Sequence, residues 1–128
     1  MVIVIDDERT FSFDGSLPGY LDVIHCRDSA SGIAAIVEAW VSYSLHYGNM
    51  VDLYLDHDLG GSDTIMPVVD FLYVAGNSAA KNCSGSLDKM VSNIFVHSQN
   101  PTAADRIVSI LSPLYRTKRI PLPTLEVA

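Results

Sequence analysis

The chain has 128 residues, 48% hydrophobic and 18% charged, the composition of one globular domain. Surface scaling buries roughly two-thirds of a chain this long, so a core forms without metal or disulfide staples. Eight Lys and Arg against fifteen Asp and Glu leave a net charge of −7, which excludes bulk nucleic acid as a partner but not a small phosphate ester or an RNA end held through a metal.

Val2 to Ile5 is a β-branched run, the pattern of a strand buried on both faces. The acidic turn that follows it does not suit a signal peptide, and no apolar run is long enough to span a membrane. Asp6 to Tyr20, with Gly15, Pro18 and Gly19, reads as a long loop, and Leu21 to His25 as a short strand. Asp28 or Ser29 caps a helix over Ser29 to Tyr47, in which Ile33, Ile36, Val37, Trp40, Val41, Ser44 and Tyr47 fall at helical spacing. Gly48-Asn49 stops it.

Val51 to Leu55 is a second strand, followed by a turn through Gly60 to Thr64 and a helix over Met66 to Ala75 with Pro67 in its first turn. Gly76 to Ser86 reads as a loop, with a short helix at Leu87 to Met90. Asn93 to Val96 is a third strand. Asn100-Pro101 opens a helix to Leu111, with Ala104, Ile107, Ile110, Leu111 and Leu114 on one face. A last strand is expected within Arg119 to Val127, confined to a sheet edge by Pro121 and Pro123. Cys26 and Cys83 stand alone and read as buried thiols.

Alternating strands and helices imply an α/β fold. The expected form is a flavodoxin-like three-layer sandwich whose five-stranded, mainly parallel sheet runs 2-1-3-4-5. Its first helix is replaced by a loop and its last is absent. Ligands then bind beyond the carboxyl ends of the strands, between the first and third. Asp6, Asp7 and Glu8 follow the first strand; Asp56, His57 and Asp58 follow the third; His97, Ser98 and Asn100 follow the fourth. Carboxylates brought together raise one another's pKa, and a divalent cation relieves that. Six of the fifteen acids, Asp6, Asp7, Glu8, Asp56, Asp58 and Asp63, lie in two of these loops, so the acidity is concentrated where a cation would sit.

The acidic pair and Asp56 resemble the phosphoacceptor receiver domains of bacterial response regulators. Over residues 2–111 the chain more closely resembles a divergent branch, the cyclic-phosphate-processing receiver-like domains. The shared marks are Asp6-Asp7-Glu8-Arg9, the Leu-Asp-His-Asp-Leu-Gly element at Leu55 to Gly60, and His97-Ser98 with Asn100.

The resemblance implies Mg²⁺ (or Mn²⁺) held by Asp6 or Asp7 and Asp56, completed by the backbone carbonyl of Asp58. It also implies a Ser98 hydroxyl on the phosphoryl group and a role with cyclic phosphates. The Lys that receivers keep at the end of strand five is missing, and Lys118 is expected before that strand, at the wrong pole. His97 and His57, absent from ordinary receivers, suit acid–base work on a phosphoester. Arg9 would pair with an anionic substrate, and the helix start capped by Asn100 would hold phosphate.

The leading expectation is therefore a metal-dependent domain that binds a small phosphoester and opens a cyclic phosphate. His97, Asp56, His57 and Ser98 would carry the chemistry. The alternatives are a non-catalytic degenerate receiver, sensing a metal or nucleotide or docking a protein, and a phosphoacceptor on Asp56. A second copy of the chain is left open as a partner. The expected compartment is the cytoplasm of a bacterium or of a phage-infected host cell.

Overall fold

The computed structural model describes residues 1–7, 23–46, 50–77 and 85–121. Its elements in chain order are β1 (Val2–Ile5), β2 (Val23–Cys26), α1 (Ser29–His46), β3 (Val51–Asp56), α2 (Met66–Gly76), α3 (Leu87–Met90), β4 (Val91–His97), α4 (Pro101–Leu111) and β5 (Thr117–Arg119). The five strands form one sheet in the order β2-β1-β3-β4-β5, with every neighbouring pair parallel. Arg9, Cys83 and the loop expected up to Tyr20, apart from Asp6 and Asp7, lie outside the described residues, as does Tyr47 at the expected end of α1.

Side chains alternate across a strand, and the register aligns them into two faces. Ile3, Ile5, Leu53, Leu55, Ile94 and Val96 share one face and are buried beneath the three long helices. Ile36 of α1, Val68, Val69 and Leu72 of α2, and Ala104, Ile107 and Leu111 of α4 complete that core. Each large aliphatic side chain buried there contributes about 1.5–3 kcal/mol. Right-handed crossovers progressing in one direction across the sheet place α1, α2 and α4 on the same side. Val2, Val4, Val23 and Tyr54 share the opposite face. Among the described residues no helix covers it, so the third layer of the expected sandwich has no counterpart there.

Local chemistry sets the helix ends. Asp28 Oδ1 accepts from the Ser31 amide at 2.7 Å and caps α1. Asn100 Oδ1 accepts from the Thr102 and Ala103 amides at the start of α4, and Pro101, which has no N–H to satisfy, takes the first helical position. On α1, Val37, Val41 and Leu45 remain exposed.

The edges of the sheet correct two expectations. β4 begins at Val91 rather than Asn93, entering through a register irregularity opposite Val51 and Asp52, and ends at His97. β5 occupies Thr117–Arg119, at and ahead of the start of the expected Arg119 to Val127, of which residues 122–127 lie outside the described residues. The last β5-side amide bond to β4 runs from Ile120 to the Val96 carbonyl, and Pro121 has no N–H to continue the ladder. Lys118 is accordingly inside β5, beside Phe95, and not before the strand.

Candidate metal and phosphoester site

Strand register assembles the site. Ile5 pairs with Leu55, and Asp56 pairs with His97, so Asp6, Asp56 and His97 end three adjacent strands. Each lies two residues beyond a residue of the helix-free face: Asp6 after Val4, Asp56 after Tyr54, His97 after Phe95. Alternation therefore sends all three side chains the same way. One ligand atom from each lies within 4.8 Å of the other two.

Burial makes this cluster electrostatically costly. The side chains of Asp6 and His97 are fully buried, with His97 Nε2 3.1 Å from Asp6 Oδ2. Asp56 is 8% exposed. Burial, followed by the neighbouring Asp6 charge, pushes the Asp56 carboxyl up to about 6; His97 and the Asp58 amide oppose this, and Asp7 adds to it. The Asp58 amide donates to Asp56 Oδ1 across a long 3.4 Å.

The β3–α2 loop forms the rim. Gly60 and Gly61 adopt positive φ angles of 81° and 57°. A Cβ on Gly60 would stand 2.8 Å from Asp7 Oδ2, so the glycine admits the Asp7 carboxylate to the rim as well as making the turn. His57, partly exposed, has Nδ1 3.1 Å from Oδ1 of the exposed Asp58 side chain. Asp58 also forms a backbone bridge to Thr64.

Asp63, expected among the acids of the cation site, and Arg27, which the sequence did not single out, act instead as supports. Asp63 accepts from the Ser29 amide at 2.9 Å and from the Ser29 hydroxyl at 2.7 Å, tying the rim to the start of α1. Those bonds hold the Asp63 carboxyl below its ordinary range. Arg27 Nη1 donates to the Asp6 carbonyl at 3.2 Å. The Asp63 contact joins residues 34 positions apart and has no local signature. Arg27 was foreseeable once β2 was set beside β1, because Ile5 pairs with Cys26.

The structure brings Asp6, Asp56 and His97 together and sets Asp7, His57 and Asp58 around them. Ser98 and Asn100 have local engagements: Ser98 Oγ accepts from the Asn100 amide at 2.9 Å, and Asn100 caps α4. Continuing the β4–β5 register sets Ile120 and Pro121 beside His97 and Ser98, so no Lys stands at that strand end.

The donor set of two carboxylates with a third on the rim fits a hard divalent cation such as Mg²⁺ or Mn²⁺. With this pole defined, comparison with known families is decisive. A model described as the cyclic-phosphate processing receiver domain matches residues 1–113. The chain belongs to that family. The match takes in β1 through α4 and every residue of the pole. No curated protein and no solved structure matches the chain. Among the described residues, no helix of this receiver domain is long and apolar enough to cross a membrane.

Proposed function

We propose that this receiver domain binds a divalent cation, Mg²⁺ or Mn²⁺, at the carboxyl ends of β1 and β3 and uses it to open a cyclic phosphate. The observation that carries the reading is the convergence of Asp6, Asp56 and His97 within 4.8 Å. Asp6 and Asp56 would hold the ion, with Asp7 and the Asp58 carbonyl completing its shell. When bound, the cation neutralises the facing carboxylates and stabilises charge developing on phosphoryl oxygens.

In the reaction, water adds to phosphorus and one ring P–O bond breaks. A proton ends on the departing sugar oxygen, leaving a phosphomonoester. His97 is fully buried against Asp6 and serves to orient that carboxylate. His57, partly exposed beside Asp58, would carry the proton.

Burial of Asp6 and His97 favours one second reading, a non-catalytic domain that senses the metal or a nucleotide. Incubation with a 2′,3′-cyclic nucleotide and Mg²⁺ or Mn²⁺, followed by phosphorus NMR, separates the two. The proposal expects a phosphomonoester, with turnover lowered at least about a hundredfold in Asp56→Asn. Metal binding without turnover selects the sensor. Metal-dependent labelling of Asp56 by an acyl phosphate would instead make it a phosphoacceptor.

A further inference from the structure

We propose that the edge formed by β4 and β5 is a track for a short single-stranded nucleic acid whose phosphoester end occupies the pole of Asp6, Asp56 and His97. This rests on the phosphoester reading above and narrows its substrate class to an oligonucleotide terminus.

The edge carries a cavity of about 300 Å³ lined by Asn93, Phe95, Arg116, Thr117 and Lys118. Lys118 Nζ lies 5.3 Å from the centroid of the Phe95 ring. Phe95 stacks in turn on Tyr54, with centroids 4.7 Å apart. Both Arg116 and Lys118 are exposed, and neither forms an ion pair with another described residue. The third cation of this stretch, Arg119, is taken by Asp105 of α4 at 3.1 Å.

Position decides what such an edge is for. Phe95 precedes His97 by two residues, and Lys118 pairs with Phe95, so the strip lies on the same sheet face as the site. Four residues of β4 separate the level of His97 from that of Asn93, where Arg116 lies, a run of about 13 Å. A single nucleotide anchored at the pole does not reach along that run, whereas a polyanion leaving the pole meets Lys118 and then Arg116.

Charge complementarity selects the occupant. In a chain of net charge −7, two cations that ion-pair with no acid among the described residues call for an extended anion. The Phe95 ring, level with Lys118 and carrying its Nζ, offers an aromatic face to a base that displaces that exposed side chain, which favours an anion with planar rings. Spaced cations beside an aromatic are elements by which proteins hold single strands. The surface is too small for bulk nucleic acid and is matched to a few nucleotides.

Fluorescence anisotropy on the full chain with Mg²⁺ tests this, using a labelled RNA pentanucleotide ending in a 3′-phosphate and a labelled mononucleoside 3′-phosphate. At low salt the RNA should bind at least about tenfold more tightly than the mononucleotide. In the variant carrying Arg116→Gln and Lys118→Gln that ratio should fall to about one, and the log–log salt slope for RNA should lose about 1.4, the share of two phosphate contacts on a single strand. Arg116→Gln alone, at an exposed position, repeats the test with half the slope change should the double variant melt early.

A ratio that survives the double variant, an RNA that binds no better than the mononucleotide, or displacement by polyglutamate as effective as by unlabelled RNA would overturn the track. The last would assign the edge to an acidic protein. Asp56→Asn separates this failure from that of the underlying reading. If it leaves mononucleotide binding intact while the RNA advantage still depends on Arg116 and Lys118, the track stands and the pole has been misread.

Discussion

Replacing Asp56 by Asn should stabilise the metal-free protein at neutral pH, although it removes a site residue. In the folded chain the Asp56 carboxyl is raised from 3.8 to about 6, chiefly by burial and then by Asp6. The folded state thus holds this proton more tightly than the unfolded state does, and stability falls as pH rises through that window. The displacement corresponds to about 3 kcal/mol lost above pH 6. Asn avoids that loss, and its Oδ1 still accepts the long 3.4 Å bond from the Asp58 amide, leaving a net gain of at least about 2 kcal/mol.

For a domain of this length the gain is about 8 °C in Tm. Thermal melts of both proteins in EDTA at pH 4, 5, 6 and 7.5 measure it as a difference, which cancels the other titrating groups. The difference should be near zero at pH 4 and grow to its full size by pH 7.5. Saturating Mg²⁺ should then raise the wild type and not the variant, reversing the order when the ion is about a hundredfold above its Kd. An Asn variant less stable than wild type in EDTA at pH 7.5, or a difference independent of pH, would refute the electrostatic account of the pole.

His97→Gln should destabilise by about 3 kcal/mol in urea unfolding, because it disturbs a fully buried contact with the Asp6 carboxylate. Asp63→Ala should lower Tm by a few degrees and increase hydrogen exchange at Ser29 and through residues 57–64. The bonds from Ser29 hold the Asp63 carboxyl below its ordinary value, so their contribution is present at neutral pH and lost only under acid, and the effect of Asp63→Ala on Tm should shrink below pH 4. Tyr115→Phe should cost about 1–2 kcal/mol by denaturant titration, since the Tyr115 hydroxyl donates to the buried Leu72 carbonyl at 2.7 Å.

Much of the sheet was legible because its strands carry strong local patterns. Val2 to Ile5 is an apolar run, and Val51, Leu53 and Leu55 alternate with Asp52 and Tyr54; each segment is closed by an acid, Asp6 or Asp56, at the strand's carboxyl end. Parallel order then carried Asp6, Asp56 and His97 to one pole. β5 was misplaced because Thr117, Lys118 and Arg119 look like a polar turn. An edge strand needs only one row of backbone bonds, so three polar residues suffice for it. The local bonds of Ser98 and Asn100 show why strand-end polar residues are ambiguous. The same hydroxyl and amide that suit a phosphate also suit a turn and a helix cap. The Asp63–Ser29 tie depends on the packed fold and left no trace in either segment.

The central claim, a divalent cation at the ends of β1 and β3, is tested most directly by a crystal soaked in Mn²⁺ and phosphate and measured at the manganese edge. The account predicts one anomalous peak with carboxylate oxygens of Asp6 and Asp56 at about 2.2 Å and a phosphate oxygen in the same shell. A pole free of anomalous density at saturating Mn²⁺, with the His97–Asp6 contact intact, would contradict it.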